Sequence, residues 1–155
     1  LIIPLSKAVT ALIDLGIVFL ILAALMLYYG FLPGPSLLFL PFFVLMAILS
    51  GLAGGLWVSA LTIRFRDFKY VAPLFVRIGL FITPIAYSAA DVPEAYRFWY
   101  YLNPMAGVVE GMRWSLLGGQ APPLYSGLGF LLVALLFLGG LVYFQKIETL
   151  IADIL

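Results

Sequence analysis

Four long apolar stretches constrain this chain more than any other feature. They cover residues 8–29, 37–63, 71–87 and 125–144 of the 155-residue sequence. A helix needs about 17–25 apolar residues to cross a hydrocarbon core about 30 Å thick, and each stretch meets that requirement. With 65% hydrophobic and 10% charged residues, the chain also has too little polar surface to coat a soluble globule. The sequence therefore predicts a single all-α membrane domain, residues 1–155, with four transmembrane helices.

The placement of the basic residues predicts the orientation. The cations at one end of the spans are Lys7, Arg64, Arg66, Lys69 and Lys146. The turn that follows the first span contains no cation. Loops rich in Lys and Arg face the cytoplasm in most multi-pass proteins. Both chain ends and the loop between the second and third spans are therefore predicted to be cytoplasmic, and residues 88–124 extracytoplasmic.

Two short helices are predicted in that extracytoplasmic segment, at Val92–Tyr101 and Pro104–Leu117. The start and stop signals are Asp91, Asn103-Pro104 and Gly118-Gly119. Helices of this length extend about 15 and 21 Å, which is too short to cross a bilayer. We predict that residues 91–118 form a re-entrant helical hairpin buried against the spans. An amphipathic pair lying flat on the outer surface is the alternative.

Several kinds of chemistry are excluded by composition and motif. The chain has no Cys and no His, which removes disulfides, thiol and imidazole catalysis and the common transition-metal ligands. No segment matches the phosphate-binding loop G-x-x-x-x-G-K-[ST]. We therefore expect a transport subunit without catalytic residues, metal or cofactor of its own. Nothing in the sequence points to nucleic acid.

Two charged residues lie inside predicted spans, where charge is costly unless it is paired or hydrated. Asp14 and Arg77 each lie about 9 Å from the cytoplasmic start of their spans. A structural ion pair between them is the favoured interpretation. Arg77 could instead extend to the headgroups, and in an ion-driven carrier both residues would line the pathway.

The predicted hairpin holds a charged pair and an aromatic block. Glu110 and Arg113 are three residues apart on one helix and can form an ion pair. The aromatic residues are Tyr96, Phe98, Trp99, Tyr100 and Tyr101. They fit a membrane-interface belt or a platform for sugars and lipid headgroups, and the sequence does not distinguish these roles.

Small residues recur every four positions in two predicted helices. Gly51, Gly55 and Ser59 lie along the second span, and Gly107 and Gly111 repeat the spacing in the hairpin. This spacing allows a neighbouring helix to approach the backbone closely. It indicates helix packing or oligomer contact and carries no information about a substrate.

An ordered series of short motifs resembles a known family. The motifs are Arg64-x-Arg66-Asp67, Thr83-Pro84-Ile85-x-Tyr87, Val92-Pro93, Asn103-Pro104-Met105 and Glu110-x-x-Arg113-x-x-Leu116-Leu117-x-Gly119. Together they resemble the permease subunit of ABC-type polysaccharide and polyol-phosphate exporters. Members of that family have six spans, and this chain is similar to their C-terminal four. We therefore expect that the N-terminal part is missing from this sequence.

The resemblance implies a homodimeric permease of the bacterial inner membrane, bound to two cytoplasmic ATPase subunits that hold ATP and magnesium. The usual cargo is lipid-linked O-antigen, capsule or teichoic-acid-like polymer. The expected ATPase-coupling loop consists of Arg64, Arg66, Asp67 and Lys69. The expected extracytoplasmic gate contains Thr83, Pro84, Tyr87, Asn103, Pro104, Glu110 and Arg113.

Three alternatives remain open at this stage. Drug or small-lipid exporters of the same superfamily share the layout. An ion-driven secondary carrier would use Asp14 and Arg77, and a membrane enzyme would use Glu110 or Asp91 as a base.

Overall fold

The computed structural model describes residues 2–83, 85, 87 and 89–152. It describes the side chains of these residues as well, except those of residues 2–8, 80, 90 and 148–152. Every regular element in this part of the chain is helical, as the sequence predicts. The α-helices are α1 Ile2–Tyr28, α2 Leu40–Arg64, α3 Phe68–Ile82, α4 Glu94–Tyr101, α5 Pro104–Leu117 and α6 Ser126–Ala152. Short 3₁₀ turns at Pro35–Phe39 and Ala89–Asp91 precede α2 and α4.

Three segments in the described residues are long and apolar enough to cross a membrane, against the four predicted. They are Val9–Tyr28, Pro35–Arg64 and Ser126–Ile147. The third predicted span corresponds to α3, whose 15 residues extend only about 22 Å. α3 ends at Ile82 because Thr83 adopts an extended backbone (φ −88°, ψ 138°). Pro84 follows Thr83 in the sequence, and a residue before proline is disfavoured in the α region.

α2, α5 and α6 form the packed centre of the chain, whereas α1 and α3 contact α2 at its periphery. Near the C-terminal end of α2, Leu56 and Ala60 are buried against Phe144 and Ile147 of α6. In the same region the rings of Trp57 and Tyr143 stack at 5.4 Å. The Trp57 indole N–H donates a 2.9 Å hydrogen bond to the Leu136 carbonyl, which joins the two helices further.

Glycines allow the closest helix approaches in this centre. A Cβ built on Gly111 of α5 would overlap the Phe43 ring of α2, and a Cβ on Gly129 of α6 would lie 2.8 Å from the Tyr101 carbonyl oxygen. Gly107 also faces close neighbours, so the predicted packing role of Gly107 and Gly111 is confirmed. Gly51 and Gly55 of α2 have no described atom within 4 Å of a built Cβ, so these two glycines mark no close approach within the described part of the chain.

The hairpin helices have nearly the predicted bounds. α5 begins and ends where the cap signals place it, with Asn103 at the N-cap and Gly118 at the C-cap with φ +75°. The predicted start of α4 is wrong by two residues. Asp91 closes the preceding 3₁₀ turn, and Pro93 is the N-cap of α4. Proline fits the residue before a helix as well as its first turn, because its missing N–H has no helical partner at either position.

Candidate functional site

Asn103 connects the start of α5 to the end of α3. Its side-chain oxygen accepts a 3.1 Å hydrogen bond from the Met105 backbone N–H, which caps α5. Its amide nitrogen donates a 3.2 Å hydrogen bond to Oγ1 of Thr83, a residue that is 94% buried. One side chain therefore satisfies the helix start and also holds the segment that follows α3. Pro104 occupies the first turn of α5.

Glu110 makes a second connection, between α5 and the segment that precedes α4. Its Oε1 accepts a 3.0 Å hydrogen bond from the Ala89 backbone N–H. The same oxygen accepts a hydrogen bond from the Arg113 guanidinium, so the predicted ion pair within α5 is present. The Glu110 side chain is only 16% exposed, which strengthens both interactions relative to those in water.

Tyr87 closes the C-terminal end of α3. Its hydroxyl donates to the backbone carbonyls of Phe81 and Ile82, at 3.3 and 3.2 Å. These carbonyls belong to the last turn of the helix, where no intrahelical donor remains. Pro84, the other predicted gate residue of this segment, lies outside the described residues.

The aromatic block of α4 divides between two environments. Tyr96, Phe98 and Trp99 are exposed, at 65%, 45% and 69%. Tyr101 is buried against Ala89 and Ala106, and its ring contacts Tyr125 at 5.5 Å, while Tyr100 is partly buried beside it. Burial raises the pKa of the Tyr101 phenol, with a further contribution from the Glu110 carboxylate, so the hydroxyl stays neutral.

The predicted coupling loop is short and lies between α2 and α3. Arg64 ends α2, and its guanidinium donates a 3.1 Å hydrogen bond to the Tyr143 hydroxyl of α6. It also lies over the Phe65 ring, 5.5 Å from the centroid. Arg64 therefore fixes the end of α2 to α6, a role that the sequence did not indicate.

The other loop residues face outward. Arg66, Asp67 and Lys69 are exposed, and the Lys69 ammonium lies 4.8 Å from the centroid of the Tyr70 ring. Asp67 occupies the N-cap of α3 but makes no side-chain capping hydrogen bond. The loop is closed by backbone hydrogen bonds instead, from Phe68 N–H to the Phe65 carbonyl and from Tyr70 N–H to the Asp67 carbonyl. Its charges are thus available at the surface.

The predicted ion pair between Asp14 and Arg77 is absent from the structure. Both residues lie in the described part of the chain, both are exposed, and neither belongs to the ion pairs found there. Their helices, α1 and α3, each pack on α2. Equal depth in the membrane was the basis for the pairing, and depth does not specify the face of the helix on which a residue lies.

Three residues with structural or site roles carry no signal in a single sequence. Tyr143 receives the Arg64 hydrogen bond from 79 positions away. Tyr125 and Arg97 come together with Glu110 and Arg113 around a cavity beside the hairpin. Such contacts arise from the packing of segments that are distant in the sequence, which the local pattern does not encode.

Comparison with known proteins adds two findings. A family model described as "ABC-2 type transporter" matches residues 2–117, which is most of the chain. An O-antigen export system permease protein RfbA of Klebsiella pneumoniae is 24% identical over 136 residues. A second protein of that name, also from Klebsiella pneumoniae, is 23% identical over 136 residues.

Each of these alignments covers 87% of this chain and 52% of the relative. The chain therefore spans about half the length of the curated relatives it matches. The resemblance that the ordered motifs predict, to the permease of a polysaccharide exporter, is confirmed by the family match and these relatives.

Proposed function

Because the chain belongs to the ABC-2 type transporter family, we propose that it is the membrane subunit of an ATP-driven exporter of lipid-linked polysaccharide or a related glycan polymer. The observation that carries the proposal is the family match over residues 2–117 together with the similarity to O-antigen export permeases. The membrane is the bacterial inner membrane, and a separate cytoplasmic ATPase chain binds ATP and magnesium.

The loop between α2 and α3 is the proposed contact with the ATPase. Arg66 and Lys69 present positive charge there, and Asp67 lies between them at the surface. Arg64 joins the base of the loop to α6 through Tyr143. A displacement of the loop would therefore be transmitted to α6 as well as to α2, and both helices belong to the packed centre of the chain. The excess of cations supports a cytoplasmic position for this end.

The α4–α5 hairpin is the proposed extracytoplasmic gate. Asn103 and Glu110 attach it to the segment between α3 and α4, at Thr83 and Ala89. α5 is inserted closely against α2 and α6, with Gly111 at Phe43 and Gly107 at Phe130. A helix of 14 residues that is packed in this way supports a re-entrant position in the outer half of the membrane.

Two copies of the permease would form the path for the glycan. The exposed rings of α4, Tyr96, Phe98 and Trp99, are the proposed contacts with cargo or with the outer headgroups. From Val9 to Tyr28, α1 is largely exposed and strongly apolar, so lipid or other parts of the assembled transporter must cover it.

The test is purification of the tagged full-length protein from its native membrane in a gentle detergent, followed by mass spectrometry. We expect an ATPase subunit in amounts equal to the permease. Deletion of the gene should leave lipid-linked glycan inside the cell and deplete it from the surface. Purification without an ATPase would contradict the proposal. Normal surface glycan in the deletion strain would indicate that the exported substrate is a drug or a small lipid instead.

A further inference from the structure

A cavity lies beside the hairpin, between α4, α5 and the segment that connects α5 to α6. Its volume is about 420 Å³, within the range of roughly 300–1,000 Å³ that small-molecule sites occupy. The connection between α5 and α6 forms one wall, and Gln120 and Ala121 of that wall are exposed, so the cavity communicates with the surface.

Charged groups of both signs line this cavity, and one of them, Arg97, also donates a 3.0 Å hydrogen bond from Nε to the Val92 carbonyl. The charged lining residues are Arg97, Arg113 and Glu110. The Glu110 carboxylate is already held by Arg113 and by the Ala89 N–H, which reduces its repulsion of an incoming anion. Glu94 contacts Arg97 from outside the cavity at 3.6 Å, but 87% of its side chain is exposed, so solvent screens that contact strongly.

Aromatic side chains supply the apolar part of the lining. Tyr101, Trp114 and Tyr125 all border the cavity. Tyr101 and Tyr125 are held edge to face, and Trp114 is held by Phe39 at 5.3 Å, so the rings have fixed positions. An aromatic ring offers a flat apolar face, and Tyr and Trp add a polar group at the edge. This combination suits a sugar ring, which has an apolar C–H face and hydroxyl groups around its edge.

We infer that this cavity binds one anionic sugar unit, with its carboxylate or phosphate directed to the guanidinium groups of Arg97 and Arg113 and its ring against Tyr101, Trp114 or Tyr125. Guanidinium groups bind carboxylates and phosphates through paired, charge-assisted hydrogen bonds. Glu110 accepts hydrogen bonds from hydroxyl groups beside the anion. This inference rests on the proposed function insofar as the sugar belongs to the exported glycan.

The experiment measures binding alone, so that its failure is separate from a failure of export or of ATPase association. The full-length permease in nanodiscs of uncharged phosphatidylcholine is titrated with tri-galacturonate, with maltotriose and with inorganic phosphate, and binding is followed by calorimetry. We expect tri-galacturonate to bind at least about tenfold more tightly than either of the others, or about 1.4 kcal/mol. Equal binding of maltotriose, equal binding of phosphate, or no binding of tri-galacturonate would each overturn the inference.

Arg97→Gln tests the cation directly. Loss of a charge-assisted hydrogen bond should weaken tri-galacturonate binding by about tenfold and leave maltotriose unchanged. Glu94→Gln is the matched control, because it alters the outer partner of Arg97 and leaves the lining intact, and its affinity should stay within about twofold of the parent. A thermal unfolding curve checks that each variant is folded, and unchanged affinity in folded Arg97→Gln would overturn the inference.

Tyr125→Leu gives a second, independent readout. Tyr125 is 36% exposed just before α6, but its ring contacts Tyr101 and Phe98 of α4, so a thermal unfolding curve must first show that the variant is folded. Loss of the ring should weaken the binding of both saccharides by a similar factor, about threefold to tenfold, which is the scale of one aromatic contact. Unchanged affinity for both saccharides in the folded variant would overturn the contact between the sugar ring and Tyr125.

Discussion

The hairpin end and the loop end of the helices differ in how their polar residues are used. At the hairpin, Asn103 and Glu110 are partly buried and make specific hydrogen bonds to Thr83 and Ala89. At the loop, Arg66, Asp67 and Lys69 are exposed, and Arg64 at its base donates a hydrogen bond to Tyr143 of α6. The hairpin is thus built from internal contacts, whereas the loop presents charge to something outside the chain. Changes at the two ends should therefore affect different properties of the protein.

Gly129→Ala should cause the largest loss of stability. Its Cβ would lie 2.8 Å from the Tyr101 carbonyl oxygen and 3.2 Å from the Pro104 Cα, and backbone atoms cannot rotate away. Overpacking of this kind costs about 1–3 kcal/mol, and we expect a value near the upper end. The measurement is unfolding of the full-length protein in detergent, followed by intrinsic fluorescence.

Gly127→Ala is the matched control on the same helix. No atom lies within 4 Å of a Cβ built at Gly127. Alanine there should leave stability unchanged or raise it by up to about 1 kcal/mol, through its higher helix propensity. Similar losses at positions 127 and 129 would mean that the close contact between α6 and the hairpin does not exist in the protein.

Glu110→Ala should cost about 2 kcal/mol, because it removes the carboxylate oxygen that accepts hydrogen bonds from the Ala89 N–H and the Arg113 guanidinium. Glu110→Gln should cost less, since its amide oxygen can still accept from Ala89. Glu94→Ala removes a mostly exposed carboxylate from α4 and should cost less than about 0.5 kcal/mol. Chemical unfolding of the three variants gives the order, and an equal loss in Glu110→Gln and Glu110→Ala would assign the effect to charge alone.

Asn103→Ala should destabilise the protein by about 1 kcal/mol through loss of the α5 cap. Asn103→Asp keeps the capping oxygen and adds a charge that the helix N-terminus favours, but it loses the donor to Thr83. We therefore expect the aspartate variant to recover most of the loss. If it is as unstable as the alanine variant, the Thr83 contact is the dominant one.

Local signals in the sequence were sufficient for part of this architecture. Asn103-Pro104 and Gly118 specify both ends of α5 because caps act on the adjacent backbone. The Glu110–Arg113 pair is visible for the same reason, as its partners are one helical turn apart. The start of α4 was placed two residues early because Pro93 is compatible with two cap positions.

Contacts between distant segments could not be predicted in the same way. Arg64 reaches Tyr143 across 79 positions, and Glu110 reaches Ala89 across 21. The cavity beside the hairpin depends on how α4, α5 and the segment after α5 meet, so Arg97 and Tyr125 could not be grouped with Glu110 beforehand. Asp14 and Arg77 show the opposite error, since matching depths suggested a pair that is not among the ion pairs of the described residues.

Arg66→Glu should have the smallest effect on stability and still abolish the proposed function. Arg66 is exposed in the short loop, so reversing its charge should change the free energy of unfolding by no more than about 0.5 kcal/mol. An ATPase surface that is complementary to the loop would then meet a like charge, which costs several kcal/mol at an interface. The ATPase recovered with the permease should fall by at least about tenfold.

Glu94→Arg is the control at the hairpin end, where an exposed charge is also reversed and ATPase recovery should be unchanged. If Arg66→Glu retains the ATPase, the loop determines membrane orientation and does not couple the subunits. If it unfolds the protein, the loop has internal contacts like those of the hairpin, and the contrast between the two ends is wrong.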